Sequence, residues 1–179
     1  MRSGGPAAVA RVIPLTAALV VAVTGCSGAA GSSRTGEIPV RDVKAARSDA
    51  RELSSQLLDL LGLHGKVTEN GPGVGVCEGR DSSKYFTIHH PWSVYKAPVP
   101  EMKQAMEGLK EQLPEHGWKL VGYGPDKSRS KSLTLRADST AKQFSVTVKL
   151  WEESPSMLHA TLGTTCFRAP EGQDVTGEY

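Results

Sequence analysis

Ser132–Phe167 reads SLTLRADSTAKQFSVTVKLWEESPSMLHATLGTTCF. Three runs in it alternate apolar and polar residues with a period of two. Leu133, Leu135 and Ala137 share one face of the first. Phe144, Val146, Val148 and Leu150 share one face of the second. Leu158, Ala160, Leu162 and Cys166 share one face of the third. Side chains alternate across a strand, so each run predicts a strand with one buried face. Asp138-Ser139-Thr140 and Ser154-Pro155-Ser156 supply turn residues between them. Consecutive half-buried strands joined by tight turns predict an antiparallel meander with one wet face.

Upstream, Trp118–Tyr123 adds a fourth strand to the meander, joined through Gly124-Pro125-Asp126. Lys84–His90 adds another, with Phe86 and Ile88 on one face and Tyr85, Thr87 and His89 on the other. Pro91 is expected to end its pairing, because proline has no N–H for a ladder. Val43, Ala46, Ala50, Leu53, Leu57 and Leu60 recur at helical spacing, widened by Leu58 and Leu61. Asp42 suits the N-cap and Gly62 the residue past the C-terminus. The spacing also fits a short heptad seam, but two Ala favour a helix lying on a sheet. Met102, Met106, Leu109 and Leu113 mark a second helix that begins near Pro100 and stops at Pro114 and Gly117. The order α-β-α-β-β-β-β predicts a two-layer α+β domain, with a five-stranded, mainly antiparallel sheet and two helices.

The first residues predict an address rather than a fold. Arg2 and Arg11 precede Val12–Val23, a mostly apolar and uncharged run. As a helix it would span roughly 18 Å, short of the ~30 Å hydrocarbon core. That favours a signal peptide. The run ends Val23-Thr24-Gly25-Cys26, which resembles the lipobox of bacterial lipoproteins. The resemblance implies removal of residues 1–25 and diacylglycerol, with its palmitate-type chains, on Cys26. It also implies a lipid anchor on the extracytoplasmic side of the cell membrane. Two acyl chains hold such an anchor stably where one is marginal. The leader, box and size together resemble small actinobacterial lipoproteins. Residues 26–37, rich in Gly and Ser, are expected to form a flexible tether. Residues 38–170 are expected to form one domain, and residues 171–179 a loose tail.

An oxidising compartment suits the remaining cysteines. Cys77 and Cys166 are even in number and are expected to pair. Cys77 precedes the strand at Lys84–His90 and Cys166 ends the last one, so those strands are expected to be neighbours. The chain carries a formal net charge of +2, and loss of the leader removes two Arg from its 21 Lys+Arg, leaving them equal to its 19 Asp+Glu. That balance gives no support for nucleic-acid binding.

Motifs for catalysis are thin. Ser93/Lys96, Ser128/Lys131 and Ser139/Lys142 fit S-x-x-K, but the S-D-N and K-T-G elements of that chemistry are missing. Gly71-Pro72-Gly73-Val74-Gly75 lacks the strand-before, helix-after setting of a phosphate loop, and reads as a turn leading into a strand. His89 and His90 are adjacent on a strand and point to opposite faces, so they cannot both hold one metal without a bulge. No catalytic residue, metal or cofactor is expected. The face opposite the apolar alternation collects Tyr85, His89, Arg136, Lys149, Trp151 and His159. Stacking, charge and hydrogen-bonding capacity on one sheet face predict a patch for an unknown envelope protein or ligand. A carrier of a small apolar ligand held between helices and sheet is the second expectation. A secreted hydrolase without familiar motifs is the third.

Overall fold

The computed structural model describes residues 37–68 and 70–179. The expected signal peptide, Cys26 and nearly all of the expected tether lie outside the described residues. No helix among the described residues is long and apolar enough to cross a membrane.

Helix α1 spans Val43–Leu61. Asp42 caps it, its Oδ1 accepting from the Ala45 N–H at 2.9 Å, and Gly62 ends it in the left-handed conformation with φ 60°. The buried stripe is Val43, Ala46, Ala50, Leu53, Leu57 and Leu61. The last step lands on Leu61, and Leu60 is half-buried beside it. A stripe that follows 3.6 residues per turn is that of a helix on a sheet, since a strict heptad would have kept Leu60 in the seam. Helix α2, Val99–Gln112, buries Met102, Met106 and Leu109 and runs into a 3-10 turn at Leu113–His116. Gly117, at φ 79°, turns the chain out.

The strands are β1 Lys66–Val67, β2 Gly73–Val76, β3 Tyr85–Tyr95, β4 Lys119–Pro125, β5 Leu133–Ser139, β6 Phe144–Trp151, β7 Met157–Thr164 and β8 Phe167–Arg168. They make one antiparallel sheet in the order β1-β3-β7-β6-β5-β4, with β2 and β8 also on β3. The α+β class, the two helices and the antiparallel meander are as the sequence predicts. So is the pairing of β3 with β7. The strand count is not five but eight, six of them on the main path.

Three local events account for the difference. First, β3 does not stop at Pro91 but pairs with β7 as far as Tyr95. The Ser93 N–H points to Thr68, on the edge away from β7. Pro91, two residues earlier, turns its nitrogen to the same edge, where β2 has not begun and β1 has ended. No ladder bond is needed there, so proline is tolerated. Second, β1 and β2 are too short to show a period. Third, the last strand breaks into β7 and β8 at a one-residue slip. His89 is opposite Gly163, but Phe86 is opposite Phe167. Such a bulge inverts the alternation beyond it. Phe167 is therefore buried and Cys166 is not on the core face with Leu162. Thr164 Oγ1 accepts the Ile88 N–H at 2.9 Å at the slip.

Cys77 and Cys166 form a disulfide, with Cα atoms 5.8 Å apart. Phe86 pairs with Val76 of β2 on one side and Phe167 of β8 on the other. The bridge therefore ties the two neighbours of β3 together across it. Residues 171–179 are not loose. Val175 is fully buried, its N–H bonds the Ser83 carbonyl at 3.1 Å, and Glu178 pairs with Arg47 at 2.5 Å. One apolar residue at Val175 suffices to dock a segment whose composition is otherwise polar. Both helices pack on the same apolar face of the sheet. Among the described residues, no helix covers the opposite face.

Candidate functional site

The register sets the outer face in rows. Ser93, His159, Lys149 and Thr134 stand side by side across β3, β7, β6 and β5. Tyr95, Met157 and Trp151 form the next row toward the strand ends. Neighbours directly opposite one another in a sheet have Cβ atoms about 5 Å apart, so each row is a set of touching side chains.

His159 is held on both ring nitrogens. The Ser93 hydroxyl lies 2.9 Å from Nδ1, and the Thr161 hydroxyl 3.3 Å from Nε2. The Trp151 indole stacks on this fixed ring, with centroids 5.6 Å apart and planes inclined by 21°. Trp151 is nevertheless 43% exposed. A large aromatic side chain held by a fixed neighbour yet open to water is preorganised for contact, because little rotamer freedom is left to lose. Lys149 is not a free charge. Its Nζ lies 2.6 Å from Asp126 Oδ2. That ammonium, with the Ser128 hydroxyl and N–H, holds the Asp126 carboxyl down at about 2. Asp126 thus stays ionised from neutral pH down through mild acid, and the contact weakens only as pH falls toward that value.

Beside Trp151 the sheet end opens into a cleft of about 690 Å³. Its walls include Ser130, Ser132, Met157, Pro155, Glu152 and Glu153. Glu152 is paired with Lys103 at 2.8 Å. The cleft offers an apolar and aromatic side, hydroxyls and acidic groups, which suits hydrogen-bonding ligands that also present apolar surface.

The six residues singled out from the sequence all lie on this face, but they do not form one site. Trp151, His159 and Lys149 are together. Arg136 is one row away, opposite Thr147, and lies over Gly122, where an added Cβ would come within 3.6 Å of its Nη2. His89 is two rows from His159, laid over β2. A Cβ at Gly73 would fall 2.6 Å from its Nε2, so the glycines of Gly73-Val74-Gly75 make the floor for that ring. Tyr85 is at the far end of β3, some 27 Å along the strand from Ser93 at ~3.4 Å per residue. Arg80 lies over its ring at 5.7 Å. Ser93, Tyr95, Met157 and Asp126 belong to the cluster and were not legible as such. Ser93 and Tyr95 lie beyond Pro91, where pairing was expected to cease.

Comparison with protein-family models, curated proteins and solved structures finds no match. Function therefore rests on the chemistry of these side chains. His90 points to the helix side of the sheet, away from His89. It is bracketed by the Ser54 hydroxyl at 2.8 Å and the Asn70 carbonyl at 2.6 Å. Among the described residues, no three His, Cys, Asp or Glu side chains converge.

Proposed function

We propose that this chain is a lipoprotein, held by a diacylglyceryl group on Cys26 at the extracytoplasmic face of the cell membrane. There it binds an envelope protein or ligand through the outer face of its sheet, without catalysing a reaction. The Val23-Thr24-Gly25-Cys26 box supports the anchor, and the Cys77–Cys166 disulfide agrees with an oxidising compartment. The observation that carries the binding role is Trp151, exposed yet stacked on a doubly hydrogen-bonded His159 at the rim of a cleft. Aromatic anchors of this kind dominate binding energy at interfaces.

Two experiments test the reading. Cys26→Ala is expected to leave the chain unprocessed or released from the membrane. Unchanged mass together with full membrane retention would rule out the lipobox. For the binding role, a photo-crosslinking residue at Thr147, beside Lys149 on the same face, is expected to give a discrete adduct in intact cells. That adduct should fade when Trp151→Ala is added, and the same probe at Glu111 on α2 should not give it. An adduct indifferent to Trp151, or equal from both positions, would remove the sheet face from the account.

A further inference from the structure

The hairpin between β4 and β5 carries a ladder of serines into the cleft beside Trp151, and the protons along it have a fixed order. Asp126 Oδ1 accepts the Ser128 N–H at 3.0 Å and the Ser128 hydroxyl as well. The ionised carboxylate can only accept, so the one hydroxyl proton of Ser128 is spent there. Ser128 Oγ must then accept from Ser130 at 3.0 Å, and Ser130 Oγ from Ser132 at 3.0 Å. The ladder ends on Ser132 Oγ, whose proton is also spent and whose remaining lone pairs can only accept. Lys149 of β6 grips Asp126 at 2.6 Å, which pins the ladder to the sheet.

Ser130 and Ser132 line the cleft together with Glu152 and Glu153, whose carboxylates also accept. One face of the Trp151 indole is taken by His159, so a ligand meets the other face. Acceptors around an aromatic face call for a ligand that brings several donors and a flat apolar side. Neither sign of charge is favoured. An anion would lie against Glu152 and Glu153, whereas a cation would come beside Lys127, Arg129 and Lys131, all exposed on the same hairpin, and Lys103, already on Glu152.

Resting on the reading that this sheet face binds, we infer that the ligand of the cleft is a neutral saccharide. A pyranose ring lays its C–H face on the Trp151 indole, and its hydroxyls donate to Ser132 Oγ and Glu153. Ring C–H groups carry the slight positive charge that the face of an aromatic ring attracts. Neighbouring ring hydroxyls are matched to the two oxygens of one carboxylate. The cleft, at about 690 Å³, is of the size that holds small-molecule ligands. The indole and the ladder are both held before the sugar arrives, so little ordering opposes binding.

The chain has three Trp, which give three indole N–H signals in the ¹⁵N-Trp-labelled, full-length chain. The detergent is a polyoxyethylene ether, because sugar-headed detergents would compete. Trp151→Phe assigns the Trp151 signal. Titration with cellotriose or tri-N-acetylchitotriose, whose rings present flat C–H faces, is expected to shift that signal saturably. The signals of Trp92 and Trp118, both 3% exposed, are expected to stay fixed and so to report an unchanged fold. Trigalacturonate and benzyltrimethylammonium are expected to leave Trp151 in place. Ser132→Ala and Glu153→Ala are each expected to weaken the sugar roughly tenfold. The inference is overturned by a Trp151 signal that neither sugar moves, by an equal response to either ion, or by full binding in both variants. A Trp151-dependent adduct from Thr147 in cells, with no response to sugar, would keep the sheet face as a binding surface and remove the saccharide alone.

Discussion

Leu150→Ala is expected to cost roughly 2–5 kcal/mol, while its neighbour Trp151→Ala costs about 1 kcal/mol. Leu150 is fully buried under the helices, opposite Leu158, and its truncation leaves a cavity that the layer above cannot close. Trp151 faces the other way and gives up only its stack on His159 and some surface burial. Urea melts of the two variants measure the difference directly. A similar loss for both would mean that Trp151 is covered in solution, which would leave no free sheet face for a partner. The contrast is the more telling because the residues are adjacent and differ in which way the pleat points them.

Cys77→Ser is expected to destabilise the domain by roughly 2–5 kcal/mol, as removal of a native bridge from a small disulfide-bonded domain generally does. Part of this is the entropy that the open chain regains, because the two cysteines are 89 residues apart in sequence. The single variant and the Cys77→Ser/Cys166→Ser double variant should melt together, since either opens the same loop. Their m-values should also agree. Thiol labelling of the denatured, unreduced parent should find neither Cys77 nor Cys166 free. Two reactive thiols in chain taken from cells would remove the bridge, and with it the inference of an oxidising compartment.

The fold was legible where a period could accumulate. Nineteen residues of α1 and the eight of β6 each repeat their pattern several times. β1 has two residues and β2 four, too few to repeat anything. The bulge at Thr164–Cys166 was hidden for a different reason. A run that alternates as far as Leu162 continues plausibly to Cys166, and only the partner strand fixes where the extra residue is absorbed. Pro91 misled because its lack of an N–H matters only if that edge of β3 is paired, which is a fact about β1 and β2. The same limit applies to the site. Period two puts Tyr85 and Trp151 on one face correctly, but register decides distance, and it separates them by most of a strand length. The Asp126 partner of Lys149 and the Ser93 partner of His159 come from elements far away in sequence. No local pattern could have named them.

The entry of the chain into the domain has a mechanical consequence. Residues 39–41 run beside β8, with the Arg168 N–H bonding the Pro39 carbonyl and the Arg41 N–H bonding the Arg168 carbonyl, each at 2.9 Å. Arg168 is opposite Tyr85, whereas Trp151 is level with Met157 and Tyr95, ten residues farther along β3. That is ~33 Å of strand between the point of entry and the indole. A pull between these two poles runs along the strands. Ladder hydrogen bonds lie across the strands, so such a load shears whole rows together instead of unzipping them one at a time. Tension between a fixed N-terminal end and anything gripped at Trp151 therefore meets the sheet in its stiffest direction.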